Sequence, residues 1–189
     1  MIQSKADLRE YMEADRIHLG YEYKKPKIRD IVWRYEIYLR KSEYYNNVSG
    51  GVLHKIAGIY CKSIWNILGL MCGFSIGLNC FEKGLSISHI GTIVVNHEAK
   101  IGENCRLHVC VNIGTGSPQI GNNVYIGPGA KIFGAIHIGN NVRIGANCVV
   151  FEDVPDNATV VLPKPRIIIK SPDYQYYVAN PNDWNAQGE

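Results

Sequence analysis

The chain lacks any CxxC pair and any Cys/His run at zinc-site spacing, although it carries six cysteines, at positions 61, 72, 80, 105, 110 and 148. No stretch at its start reads as a signal peptide, so free thiols in a reducing cytoplasm are the expectation, with no metal required. An excess of one charge is also missing. Twenty basic side chains face 17 acidic ones, for a formal net charge of +3, which argues against a protein built to coat nucleic acid. There is no unbroken apolar run either. The stretch from Ile59 to Leu78 is interrupted by Lys62, Asn66 and several glycines, so a packed helix is expected there rather than a membrane span.

What is present divides into two halves. At 189 residues there is room for one domain with a real core, or for a helical piece leading into a larger one. From Ser4 to about Leu70 the pattern is helical. Ser4 and Asp7 stand at capping-box spacing ahead of Leu8 and Met12. After Pro26, the residues Ile28, Ile31, Val32, Tyr35, Tyr38 and Leu39 recur at helical steps and predict a core-facing stripe, with Arg29, Arg34 and Lys41 off it. Asn46 to Gly51 reads as a turn. A weaker third stripe follows in Val52, Ile56, Ile59, Ser63 and Ile67. The aromatic-rich helices read as a cap that packs on a neighbour.

From Val95 onward the sequence cuts into sixes, with one extra residue in the block Ile113–Gln119. The first place is always aliphatic: Val95, Ile101, Leu107, Ile113, Ile120, Ile126, Ile132, Ile138 and Ile144. The fifth is small or aliphatic, with Ala99, Cys105, Val111, Val124, Ala130, Ile136, Val142 and Cys148. A period of six fits neither a helix nor an alternating strand. It fits short strands joined by tight bends, three flat faces closing a triangular coil and the first and fifth places filling its interior. Cys105 and Cys148 are then packing residues. Gly102, Asn104, Gly121, Asn122, Asn123, Gly139, Asn140, Asn141 and Gly145 suit the corners, where positive φ is tolerated.

The repeat run, with GLSISHIGTIVVNHEAKIGENCRL and IGNNVYIGPGAKIFGAIHIGNNVRIGANCVV, resembles the left-handed β-helix acyltransferases, and more narrowly the serine acetyltransferase-like branch of surface-polysaccharide gene sets. The likeness spans about residues 60 to 165. It implies a mainly β chain: a helical N-terminal subdomain at 1–72, a left-handed parallel β-helix at 73–170 and a C-terminal tail at 171–189. It also implies a homotrimer with active sites between subunits, and acetyl-coenzyme A as co-substrate. His89 falls on the family's catalytic histidine. A thioester is already activated, so the reaction needs only a base for the acceptor hydroxyl and a donor for the oxyanion, and imidazole suits the first task. The glycine corner at Gly114, Thr115 and Gly116 of an adjacent chain is the candidate oxyanion and cofactor contact. Pro128, Arg143, Ala146, Lys164 and Arg166 are the further candidates for holding coenzyme A. Ser88 and His97 are candidate acceptor contacts. His108 and Cys110 share a strand face, but a nucleophilic cysteine adds nothing to a thioester donor.

Serine acetyltransferases have an aspartate where this chain has Ser88, and a longer loop where it has Thr115 to Pro118. A sugar hydroxyl of a surface polysaccharide is therefore the expected acceptor. L-serine is the alternative, and a non-catalytic β-helix binding or assembly module is the further one.

Overall fold

A computed structural model of the chain describes residues 1–165. Three helices come first: α1 (Lys5–His18), α2 (Ile31–Asn47) and α3 (Val52–Cys72). Ser4 caps α1, its side chain accepting from the Asp7 N–H at 3.1 Å, while the Asp7 carboxylate accepts from the Gln3 N–H at 2.9 Å. The Gln3 N–H foremost, with the neighbouring Ser4 side chain, holds the Asp7 pKa below its ordinary value.

α2 starts later than its apolar stripe suggests. Ile28 is 91% exposed, because Lys27 donates its N–H to Asp30 at 2.7 Å and this short turn delays the helix to Ile31. Once begun, α2 is buried nearly all round, polar residues included: Glu36, Arg40, Ser42 and Glu43 lie inside with Trp33, Tyr35 and Leu39. The third stripe points the other way. Val52, Ile56, Ile59 and Ile67 of α3 are exposed, whereas Cys61, Gly69 and Cys72 are buried. Among the described residues no helix is long and apolar enough to cross a membrane.

Gly73 ends α3 in the left-handed conformation, and a parallel solenoid of thirteen short strands follows: β1 (Phe74–Ile76), β2 (Ser86–Ile87), β3 (Ile93–Val95), β4 (Lys100–Ile101), β5 (Arg106–Leu107), β6 (Asn112–Ile113), β7 (Gln119–Ile120), β8 (Tyr125–Ile126), β9 (Lys131–Ile132), β10 (His137–Ile138), β11 (Arg143–Ile144), β12 (Val149–Val150) and β13 (Thr159–Val160). They form three faces. The first has the order β1-β3-β6-β9-β12, the second β10-β7-β4 and the third β13-β11-β8-β5-β2. Tyr125 pairs with Arg143 and Gln119 with His137, each 18 positions on, or three sixes. Arg106 pairs with Tyr125 and Lys100 with Gln119, each 19 positions on. The added position is the extra residue of the Ile113–Gln119 block, absorbed in a bend without shifting any face.

Every first-place and fifth-place residue named from the repeat is buried, Cys105 and Cys148 included. Each fully buried aliphatic side chain contributes roughly 1.5–3 kcal/mol relative to exposure. At the corners, Asn104, Asn123 and Asn141 take positive φ as expected. Their amides also form a ladder: Asn104 donates to Asn123 at 3.0 Å, Asn123 to Asn141 at 3.1 Å and Asn141 to Asn157 at 3.0 Å. The corner glycines answer a different need. Gly102, Gly121, Gly139 and Gly145 are not among the positive-φ residues; a Cβ on Gly121 would stand 2.8 Å from the Gly139 carbonyl of the next coil. Close coil stacking, rather than backbone conformation, requires glycine there.

Candidate functional site

Residue 89 follows β2 at the edge where the third face turns into the first. Its neighbours are positioned by a buried polar network. The Arg40 guanidinium donates to Asp15 at 2.7 Å, to Glu43 at 3.0 Å and to the carbonyls of Phe81 and Glu82, each at 2.8 Å. Asp15 also accepts from the N–H groups of Gly84 and Leu85, both at 2.8 Å. Glu36, fully buried, accepts from the Ile87 N–H at 3.0 Å. Helices α1 and α2 thus grip the backbone from Phe81 to Ile87, and His89 leaves that clamped segment two residues later. Gly91 then takes φ 153°, a conformation that side chains disfavour, and returns the chain to β3.

His89 lines a cavity of about 300 Å³ with Ser88, Ile90, Arg106, Tyr21, Arg29 and Asp30. Its ring centroid lies 6.2 Å from that of His108, and the His108 ring lies 5.1 Å from Tyr125. Arg143 sits over the Tyr125 ring at 5.5 Å. A column of His89, His108, Tyr125 and Arg143 therefore runs along the solenoid from the base of the cavity toward the last coils. Ser88 accepts from Arg106 Nε at 3.2 Å, and its hydroxyl lies 3.4 Å from His108 Nε2. Burial lowers the His108 pKa from its ordinary value, helped by Arg106 and His89, so the neutral imidazole is favoured.

The remaining sequence candidates divide by edge. Pro128 and Ala146 lie on the same edge as His89, one and two coils beyond His108, joined by an Asn147 N–H to Pro128 carbonyl bond of 2.8 Å. Arg143 is on the third face, in the column. Gly114, Thr115 and Gly116 lie instead between β6 and β7, on the edge from the first face to the second, and His97 shares that edge between β3 and β4. One protomer thus does not bring His97 or the glycine corner to His89, and His97 is absent from the cavity lining. The cause is topological: successive bends fall on successive edges, and only every third bend returns to the same one. Lys164 follows β13, while Arg166 and the tail lie outside the described residues.

Sequence reasoning placed His108 outside the site and passed over Arg29, Asp30, Tyr21 and Arg106. Counting coils would have found His108, since Ile87 pairs with Leu107 and the residues that follow them are neighbours. Tyr21, Arg29 and Asp30 carry no such signal; the α1–α2 connection brings them over the first coils.

A parallel solenoid of hexapeptide coils with a helical cap and a histidine-bearing cavity defines the class. The family model of bacterial transferase hexapeptide, six repeats, matches residues 117–152. Over those residues the chain carries the repeat of the bacterial hexapeptide transferases, and its fold is similar to that of solved serine acetyltransferases. It is 39% identical over 95 residues to a serine acetyltransferase of Helicobacter pylori, the match covering 47% of this chain and 56% of that protein. With a serine acetyltransferase of Synechococcus elongatus it shares 42% identity over 96 residues, covering 47% and 39%. The chain therefore spans little more than half the length of the first of these relatives, and less of the second. Serine acetyltransferase 1 of Entamoeba histolytica superposes with a TM-score of 0.62 at 26% identity, covering 82% of this chain and 63% of that one. A serine acetyltransferase in complex with CoA shares the fold, with a TM-score of 0.65 at 21% identity, covering 82% and 67%.

Proposed function

We propose that the protein is an acetyl-coenzyme A-dependent O-acetyltransferase of the serine acetyltransferase kind, with His89 as general base and L-serine as acceptor. The observation that carries this reading is His89 at the wall of a small cavity, beside a column of rings leading toward the last coils. The sugar acceptor expected from Ser88 and the short Thr115–Pro118 segment finds less support. Curated relatives at 39–43% identity carry the name serine acetyltransferase, and 300 Å³ is at the lower limit for a small-molecule pocket.

The acceptor hydroxyl gives its proton to the His89 imidazole as its oxygen attacks the thioester carbonyl. The C–S bond then breaks, the acetyl ester forms, and the proton returns to the departing thiolate of coenzyme A. Arg143 and Lys164 supply cations for the coenzyme's phosphates, and Pro128 and Ala146 border its path along the edge. The Gly114–Gly116 corner serves as oxyanion donor from an adjacent protomer, which makes a homotrimer part of the reading. Exposure of Phe133, Val149 and Phe151 on the flank of the first face is consistent with surface that assembly would cover. The reading places the enzyme in the cytoplasm.

A thiol-release assay with acetyl-coenzyme A, offering L-serine and a panel of nucleotide sugars, tests the proposal. Turnover with L-serine is expected. Turnover with a nucleotide sugar alone would restore the sugar reading, and release with neither would remove the enzymatic one. Sedimentation or light scattering gives the mass that tests the trimer.

A further inference from the structure

The cavity beside His89 has a charge pattern that transfer to a hydroxyl does not itself require. Two guanidinium groups, Arg29 and Arg106, line it together with one acidic residue, Asp30. Among the described residues neither arginine lies within ion-pair distance of a carboxylate. Asp30 is committed elsewhere: its carboxylate accepts from the Tyr23 hydroxyl at 2.6 Å and from the Lys27 N–H at 2.7 Å. Those bonds, that from Tyr23 foremost, hold its pKa below the ordinary carboxylate value.

Arg106 uses Nε on Ser88, which orients the guanidinium while leaving its outer fork uncommitted. Ile31 and Val32, the first residues of α2, form another wall, and Asp30 makes no side-chain cap bond to that helix. The N-terminal end of α2 therefore adds positive potential to the same side. A guanidinium fork matches a carboxylate in two parallel hydrogen bonds, so two of them facing one small cavity discriminate by charge as well as shape.

We infer that Arg29 and Arg106 are specificity-determining residues that hold a carboxylate on the acceptor, selecting hydroxy acids over neutral alcohols. The inference rests on the reading of His89 as the base, and it assigns acceptor recognition to side chains of the same protomer. The carboxylate could belong to an amino acid such as L-serine or to an acidic sugar, and the experiment separates the two.

Equilibrium binding by calorimetry is measured for four probes, L-serine, L-serinamide, glucuronate and glucose, on the wild-type protein and on Arg29→Gln, Arg106→Gln, Arg106→Lys and the double Gln variant. Thermal melts confirm that each variant is folded. The wild type is expected to bind one carboxylate-bearing probe at least tenfold tighter than its counterpart lacking the carboxylate. Each single Gln variant should lose about tenfold in affinity for it, and the double variant should lose the preference altogether. Arg106→Lys should retain part of it, because charge survives without the fork. In turnover, KM for the acidic acceptor should rise while KM for acetyl-coenzyme A stays within threefold. Equal wild-type affinity for probes with and without the carboxylate, or a preference intact in the double variant, overturns the inference. Carboxylate binding without any acetyl transfer would support the carboxylate site and remove the enzymatic reading on which its part in acceptor choice rests.

Discussion

Arg40 Nε donates to Asp15 Oδ2 at 2.7 Å, joining α2 to α1 in a pair whose side chains are 0% and 2% exposed. The same guanidinium reaches the Phe81 and Glu82 carbonyls, so one side chain links both helices to the first coil. The buried charges are well supplied with partners: Glu43 gives Arg40 a second carboxylate, and Asp15 accepts from two backbone N–H groups as well.

Removing that cation leaves two buried carboxylates and two buried carbonyls without it. Arg40→Ala should destabilise the fold by about 3–5 kcal/mol, read from urea denaturation. A loss under about 1 kcal/mol would mean that the network is not what binds the helices to the solenoid.

Glu36 carries a pH signature. Burial, reinforced by the negative charge of Asp15, pushes its pKa well above the ordinary value. A carboxyl with a raised folded pKa stabilises fully below its unfolded pKa, about 4.3, and that stability is lost as pH rises toward the folded pKa. Glu36→Gln keeps an oxygen for the Ile87 N–H and removes the titration. The variant should match the wild type near pH 4 and be the more stable of the two at pH 8. A gap that does not widen with pH contradicts the protonated form.

Under the proposed mechanism, His89→Ala should lower the rate of acetyl transfer by two or more orders of magnitude, the range of an acid-base residue, while coenzyme A affinity is retained. A rate within threefold of wild type would take His89 out of the mechanism.

The thiols should divide sharply. Burial pushes Cys105 up to about 12 and Cys80 up to about 11, and Cys61, Cys72 and Cys148 are also buried, whereas Cys110 is exposed. A disulfide reagent at pH 8 should modify one thiol quickly and the others only on unfolding. Loss of the fast phase in Cys110→Ser identifies it; its persistence would place another cysteine at the surface.

Gly121→Ala should cost about 1–3 kcal/mol, the usual range for overpacking, because its Cβ would meet the Gly139 backbone at 2.8 Å. Gly51→Ala, with nothing within 4 Å of the added carbon, is the control and should melt within a few degrees of wild type.

The solenoid was legible because its code is local. Each six-residue block states which side chains go inside, and Leu107, Ile126 and Ile144 are buried on the third face for the same reason they recur in the sequence. His89 was singled out only through resemblance, since nothing in the spacing of histidines separates it from His97, and its role as base is the proposal made above. Helical periodicity misled where a helix has more than one neighbour: α2 is enclosed on several sides, so Glu36 and Arg40 are buried among each other's charges, and the stripe on α3 faces outward.

By itself, then, the sequence determined the coil, its three faces and its aliphatic interior, because a repeat that satisfies its own strand pairing needs no distant information. The tertiary structure alone decided the cavity. Tyr21, Arg29 and Asp30 meet Ser88, His89 and Arg106 there only because buried ion pairs and backbone hydrogen bonds dock α1 and α2 on the first coil, and contacts so far apart along the chain leave no periodic trace in it.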